Sequence, residues 1–215
     1  MARSSSPTED IVSGDQPTSG DVDLIDITDF DFKALIFDCD GTLAQTAPHH
    51  FESLREAFAA QKLVLPRDWY FARLGLSRNH LFDEFEAEHQ REIDRSAAII
   101  ASEEIYCSSS SPIEEIARVS GVARRMRGRL PISVASGGPR KLVHQTLHAC
   151  GLFYLFDHIV TFDDVGEGKP SPALFLEAAR KMGVDPQQCL VFEDSVEGLM
   201  AAERAGMIAL DVRNR

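Results

Sequence analysis

Five short apolar runs constrain this chain more than anything else in it: KALIF (33–37), ISVA (132–135), HIV (158–160), CLVF (189–192) and MIALDV (207–212). They are apolar at nearly every position rather than at alternate ones. A strand of that kind has no face for water, so it belongs in a parallel sheet covered on both sides. Helical segments between the runs supply the cover. PRKLVHQTLHAC (139–150) carries Pro139 at a predicted first helical position and ends before Gly151. SPALFLEAARKM (171–182) offers Ser171 as an N-cap, Pro172 next, and Gly183 past the end. SVEGLMAAERA (195–205) is capped by Ser195 and stops at Gly206.

The second to third and third to fourth runs lie roughly 25–30 residues apart, the size of one strand–helix–strand unit. The first and second are about 95 apart, too far for one helix to fill. Something is inserted after the first strand, and it reads as helical. HHFESLREAFAAQ places Phe51, Leu54 and Phe58 on one face; Leu81, Phe82 and Phe85, then Ile93, Ile100 and Ile105, continue the pattern. SSSSP (108–112) is a plausible return hinge. The fold class expected is therefore α/β: a Rossmann-like three-layer core with a parallel sheet, plus a small helical cap inserted after the first strand. The domains expected are a disordered acidic tail (1–29), a core (30–46 and 117–215) and a cap (47–116), with hinges near 46–49 and 108–116.

Composition excludes several classes. Hydrophobic residues make up 44%, enough for a globular core. A net charge of −12 argues against a general nucleic-acid binder, which needs a basic face. Half of that excess sits in residues 1–30, which carry seven acids and the single base Arg3. The first 29 residues are rich in Ser, Thr, Pro, Gly and Asp without periodicity, hence the expectation of disorder. No apolar stretch approaches the ~18–20 residues of a membrane span. The start MARSSSPTEDIVSGD has no apolar signal core and is too acidic for a mitochondrial transit peptide, so a cytoplasmic protein is expected. Cys39, Cys107, Cys150 and Cys189 are scattered without a C-x-x-C, as in a reduced cytosolic chain.

In open parallel sheets, ligands gather beyond the carboxyl ends of the strands. Asp38 and Asp40 follow the first run. Ser136, Gly137 and Gly138 follow the second, Lys169 comes after the third by way of a loop, and Glu193 and Asp194 follow the fourth. Each alone has a plainer reading: a helix cap, turn chemistry or a solvated charge. Four acids meeting without a cation repel strongly, and a hard divalent ion relieves that. The set then has chemical jobs to fill. Asp38 can attack phosphorus and form an aspartyl-phosphate, and Asp40 can protonate the leaving oxygen and then deprotonate water. Lys169 and Ser136 can hold the equatorial phosphoryl oxygens. Backbone N–H groups around Gly137 and Gly138 open a helix and suit an anion. Asp194, helped by Glu193, can bind the metal.

FDCDGTLA, VASGG, GKPSP and FEDS, in that order and with an insert after the first, resemble the haloacid dehalogenase (HAD) superfamily over residues 33–212. The position of the cap and the F-E-D-S form resemble its branch of β-phosphoglucomutases and sugar-phosphate phosphatases. The resemblance implies Asp38 as nucleophile and Asp40 as acid/base. Thr42, Ser136, Gly137 and Lys169 form the implied phosphate-binding set. Mg²⁺ is implied on Asp38, the Asp40 main-chain oxygen and Asp194, with Glu193 acting through water. It further implies that the fourth strand lies beside the first. In the cap, His50 (of PHH) matches a hinge histidine near the acid/base, and Arg78 (of LGLSR) matches a loop residue that meets a sugar or its second phosphate. One departure is Gln45, where the family often has an acid.

The expected function is Mg²⁺-dependent hydrolysis of a small phosphomonoester, a hexose phosphate above all. A β-phosphoglucomutase-type mutase is the alternative, since it shares this machinery and differs in excluding water. A haloacid dehalogenase needs neither Asp40 nor a metal, and a non-catalytic phosphosugar-binding regulator would have lost Asp38 or Asp40. VASGG is not the G-x-S-x-G turn of serine esterases, and no phosphate-binding P-loop or dinucleotide glycine loop is present. His144 and His148 stand one helical turn apart without an apparent third ligand. The partner expected is a small phosphorylated metabolite, with no nucleic acid and no membrane, and the chain itself is expected to be a monomer.

Overall fold

The computed structural model describes residues 23–214. In chain order, these form β1 (Ala34–Phe37), β2 (Ala44–Gln45), α1 (Ala47–Ala60), α2 (Arg67–Phe71), α3 (Arg78–His89), α4 (Arg95–Ser108), β3 (Glu114–Glu115) and α5 (Ala117–Met126). β4 (Ile132–Ala135), α6 (Arg140–Ala149), β5 (His158–Val160), α7 (Phe162–Val165), α8 (Ala173–Met182), β6 (Cys189–Glu193), α9 (Val196–Arg204) and β7 (Ile208–Asp211) complete the chain. Five strands make one parallel sheet in the order β5-β4-β1-β6-β7. β1 lies at its centre, with β6 as a direct neighbour.

The all-apolar strands are explained by what covers them. Leu35 and Phe37 of β1 face one core, with Val119, Val122 and Ala123 of α5 and Val143 and Leu147 of α6. Ala34 and Ile36 face the other, with Leu174, Phe175 and Ala178 of α8 and Ala201 and Ala202 of α9. Alternate residues thus enter opposite layers, and neither layer is wet. The inserted helices keep a core of their own, in which Phe51, Leu54 and Phe58 of α1 meet Leu81, Phe82 and Phe85 of α3. Where the chain leaves the sheet and returns to it, β2 and β3 pair antiparallel, Ala44 with Glu115 and Gln45 with Glu114. Among the described residues, no helix is long and apolar enough to cross a membrane.

Several expectations need correction. The acidic tail was placed at 1–29. Residues 1–22 lie outside the described residues, but Ile25 and Ile27 are buried in the core beside α5. The Ile25 N–H donates to the Arg118 carbonyl at 3.3 Å. Leu24 packs against the same cluster, and burying these three apolar residues outweighs the local composition. Ile100 is 58% exposed, because α4 turns Ala98, Ser102 and Tyr106 inward at i, i+4, i+8 instead. Pro139 is the N-cap of α6 rather than its first residue, with extended backbone (ψ 142). Pro172, not Ser171, is the N-cap of α8. The Ser171 hydroxyl donates to Glu167 at 2.7 Å, which holds the preceding turn. Ser195 does cap α9, accepting from the Gly198 N–H at 3.0 Å.

Ile25→Ala should destabilise the protein by about 2–4 kcal/mol, the usual cost of emptying a buried branched side chain. Urea unfolding measures this; a change indistinguishable from zero would detach the 23–29 segment from the core.

Candidate active site

The sheet register brings the acids together. Phe37 pairs with Phe192, and the Asp38 N–H donates to the Phe192 carbonyl at 3.0 Å. The next residues along the two strands, Asp38 and Glu193, therefore stand side by side. Asp40 lies in a tight loop in which the Leu43 and Ala44 N–H groups both donate to the Cys39 carbonyl, at 3.0 and 3.1 Å. Gly41 makes that loop possible. Its φ is +86°, and a Cβ there would lie 2.2 Å from Asp194 Oδ2. Ser136 leaves β4 with its N–H donated to the Val160 carbonyl, at 3.0 Å. Lys169 comes from the loop between α7 and α8, over the Phe175 ring at 5.1 Å.

The Lys169 ammonium donates to Asp38 Oδ1 and to Glu193 Oε2, each at 2.5 Å. Asp38, Glu193 and Asp194 each offer an oxygen, and these lie within 4.8 Å of one another. The other Glu193 oxygen accepts from the Asp194 N–H at 3.1 Å, the Ser195 N–H at 3.0 Å and the Ser195 hydroxyl at 2.9 Å. Gly198 of α9 leaves room for this side chain, since a Cβ there would fall 2.0 Å from Glu193 Cδ. The Thr42 hydroxyl donates to Asp194 Oδ1 at 3.1 Å. The Asp40 carboxylate is not in the cluster of three. It accepts from the Ser136 hydroxyl at 3.3 Å and faces His50 Nε2 at 3.3 Å.

These environments set the two N-terminal acids against each other. Burial and the neighbouring Glu193 push Asp38 well above the usual carboxylate range, with Lys169 pulling the other way. Burial also works against the charge of Asp40, but His50, Thr46 and Ser136 outweigh it and hold this acid below its ordinary value. Asp194 is pushed up to about 6 by burial and then by Glu193. Burial disfavours the Lys169 charge, yet Asp38 and Glu193 hold its pKa above the ordinary lysine value. Three clustered carboxylates thus share one ammonium. An all-oxygen set of this kind with excess negative charge fits a hard divalent cation.

Asp38, Asp40, His50, Ser136, Lys169, Glu193 and Asp194 face one cavity of about 580 Å³ between core and cap, whereas Thr42 is buried behind Asp194 and does not line it. Gly137 stands at its wall. The Gly138 N–H is donated to the Ser136 hydroxyl at 3.1 Å, and the Arg140 N–H to Asp163 at 2.6 Å, so the opening of α6 is partly occupied. Leu74, Gly75, Leu76 and Ser77 reach the cavity from the cap, but Arg78 is not among its lining residues. Arg78 pairs instead with Glu103 at 2.9 Å, beside a smaller cavity of about 190 Å³ that shares His50, Tyr70 and Leu76 with the first. Gln45 lines the large cavity from the β2–β3 ribbon. Thr46, Tyr70, Arg118, Glu197 and Arg213 also line it and were not anticipated. Thr46 follows Gln45 at the end of the first motif, whereas Tyr70, Arg118, Glu197 and Arg213 belong to none and reach the cavity only by folding. His144 and His148 pack on the Phe153 ring, at centroid distances of 5.0 and 3.9 Å.

Residues 32–206 match the haloacid dehalogenase-like hydrolase family. The chain is 34% identical over 182 residues to the fructose-1-phosphate phosphatase YqaB of Escherichia coli (strain K12), covering 85% of this chain and 97% of that one. It is 27% identical over 182 residues to the validoxylamine A 7'-phosphate phosphatase of Streptomyces hygroscopicus subsp. limoneus, covering 83% and 84% of the two chains. Among solved structures, CbbY from Rhodobacter sphaeroides in complex with xylulose-(1,5)bisphosphate superposes with a TM-score of 0.74 at 27% identity, covering 83% of this chain and 84% of that one.

The raised pKa of Asp194 gives a testable sign. The folded protein binds a proton there that the unfolded chain has released, so this group's contribution to stability is present below pH 3.8 and is lost as pH rises to about 6. In chelator, Asp194→Asn should therefore gain in thermal midpoint relative to wild type across that window and stay ahead above it. A difference that does not change with pH would refute the assignment.

Proposed function

Because this chain belongs to the haloacid dehalogenase-like hydrolase family and is a phosphoric monoester hydrolase, we propose that it dephosphorylates a small phosphorylated sugar, a hexose phosphate, through an aspartyl-phosphate on Asp38. The observation that carries this reading is the pairing of unlike acids on one cavity. Asp38 sits against a buried ammonium at 2.5 Å, and Asp40, two residues on, sits against His50 and Ser136.

In the first half-reaction an Asp38 oxygen forms a bond to phosphorus while the bond from phosphorus to the sugar oxygen breaks. Asp40 delivers its proton to that departing oxygen. Before substrate arrives, Asp40 is held low, which suits a base. An incoming phosphoryl anion raises its proton affinity by like-charge repulsion, so the proton is on Asp40 when the sugar oxygen needs it. In the second half, Asp40 takes a proton from water as the water oxygen bonds to phosphorus. The Asp38–phosphorus bond then breaks, giving phosphate and the free carboxylate. Lys169 and Ser136 bind the phosphoryl oxygens, where charge spreads in the transition state, Gly137 completes that wall, and Thr42 acts from behind through its bond to Asp194. Asp38 and Asp194, with the Asp40 main-chain oxygen, would hold Mg²⁺, and Glu193 would act on it through water. When bound, that ion supplies the positive charge that offsets repulsion between an anionic nucleophile and an anionic substrate.

Phosphate release from a panel of hexose phosphates, with and without Mg²⁺, tests the reading. Asp38→Asn should abolish turnover, and Asp40→Asn should lower kcat by about 10²–10⁴-fold while binding metal normally. Conversion of β-glucose 1-phosphate to glucose 6-phosphate without phosphate release would replace the phosphatase with a mutase.

A further inference from the structure

Asp40 depends on His50, and His50 depends on something farther out. His50 stands in the first turn of α1, where the chain has just entered the cap. Its ring stacks on Tyr106 of α4, with centroids 4.6 Å apart and planes inclined by 26°. Tyr106 is 2% exposed, and its hydroxyl lies 2.7 Å from Thr146 Oγ1. Thr146 is also buried, and it belongs to α6, the core helix that follows the Ser136–Gly138 turn. One hydrogen bond therefore crosses from cap to core, and the imidazole that faces Asp40 rests on it.

Burying two hydroxyls costs free energy unless they satisfy each other, and here they do. A phenylalanine would fill the same space and offer the same ring face, so the phenol hydroxyl adds a tether rather than bulk. The tether's position matters. Tyr106 lies in the last turn of α4 and His50 in the first turn of α1, close to the two points where the chain crosses between core and cap. A second contact braces the same region: His49 Nε2 donates to the Ser111 carbonyl at 3.0 Å, joining the outgoing and returning segments. Leu76 of loop 74–77 lines both cavities together with His50.

We propose that Tyr106 and Thr146 are positioning residues for proton transfer: their hydrogen bond fixes the His50 ring against Asp40. This rests on the reading of Asp40 as acid and base. In the first half-reaction a group that orients the acid matters only when the leaving oxygen needs a proton; the later water step is common to all esters, and kcat/KM, which ends at departure of the leaving group, omits it. A sugar alkoxide needs one, whereas p-nitrophenolate leaves without it.

The experiment compares a hexose phosphate with p-nitrophenyl phosphate, using Tyr106→Phe, Thr146→Val and Thr146→Ser. Tyr106→Phe and Thr146→Val should lose about 10-fold or more in kcat/KM on the sugar phosphate, yet keep kcat/KM within about 3-fold of wild type on p-nitrophenyl phosphate. Thr146→Ser, which keeps the hydroxyl, should behave as wild type on both. On a His50→Ala background, Tyr106→Phe should add no further selective loss, because the two act through one contact. Should Tyr106→Phe fail to fold, Thr146→Val against Thr146→Ser decides the matter alone. Equal losses on both esters, or none on either, would overturn the inference and leave the phosphatase reading standing. A wild-type protein inactive on both esters would overturn that reading and the inference with it.

Discussion

Lys169 holds its ammonium 2.5 Å from Asp38 and 2.5 Å from Glu193, with both carboxylates almost fully buried. Most of what is unusual in the core exists to permit that contact. Two neighbouring parallel strands end in acids at the same level, and like charges so placed would separate without a cation between them. Glu193 spends its second oxygen on two backbone N–H groups and a hydroxyl, so one carboxylate is fully satisfied while its neighbours keep capacity for a ligand. The fold makes room by omitting side chains at Gly41 and Gly198, where a single carbon would collide with Asp194 or Glu193. Breaking such a pair from either side strands a buried charge, which costs more than the pair contributes when intact. The arrangement reads as a concession of stability to chemistry.

Much of the core was legible because one physical cause shaped each signal. Strands buried on both faces must be apolar throughout, so KALIF, ISVA, HIV and CLVF announced themselves, and the structure places strands within a residue of each. The failures share a cause too. β2 and β3 are two residues long and show no periodicity, because they exist only by pairing with each other. α7 is four residues held by a capping box between Thr161 and Asp164 rather than by an apolar stripe. Ile25 and Ile27 lie in a stretch whose average composition says disorder, and an average hides two residues. Ile100 obeyed the apolar rule in sequence and broke it in space, since Ala98 and Tyr106 took the inward positions of α4.

The site divides in the same way. Asp38, Asp40, Ser136, Glu193 and Asp194 follow the carboxyl ends of strands and Lys169 arrives by the α7–α8 loop, so the rule that ligands gather there collected them, while the placing of the fourth strand beside the first came from the family resemblance. Cap residues could not be collected this way, because their position depends on how separately packed helices sit over the sheet. Arg78 occupies a motif-like position yet turns toward Glu103, an ion pair 25 residues away that no local pattern announces. Tyr106 and Thr146, 40 residues apart and on different layers, meet only in three dimensions.

The point of insertion carries a mechanistic consequence. Asp38 is fastened to the sheet by its N–H on the Phe192 carbonyl, whereas Asp40 lies in the loop that runs into the cap. That loop is bound to the returning segment: the Ile116 N–H donates to the Leu43 carbonyl at 2.9 Å, and β2 continues the pairing. Asp40 is thus tied to the cap by its loop and by His50, and Asp38 to the sheet by its N–H on the Phe192 carbonyl. On the proposed reading, the nucleophile Asp38 would stand at the end of β1 and the proton carrier Asp40 in the loop that enters the cap. A chain of this topology can exchange its cap surface, and with it its substrate, while the charged edge of the sheet stays as it is.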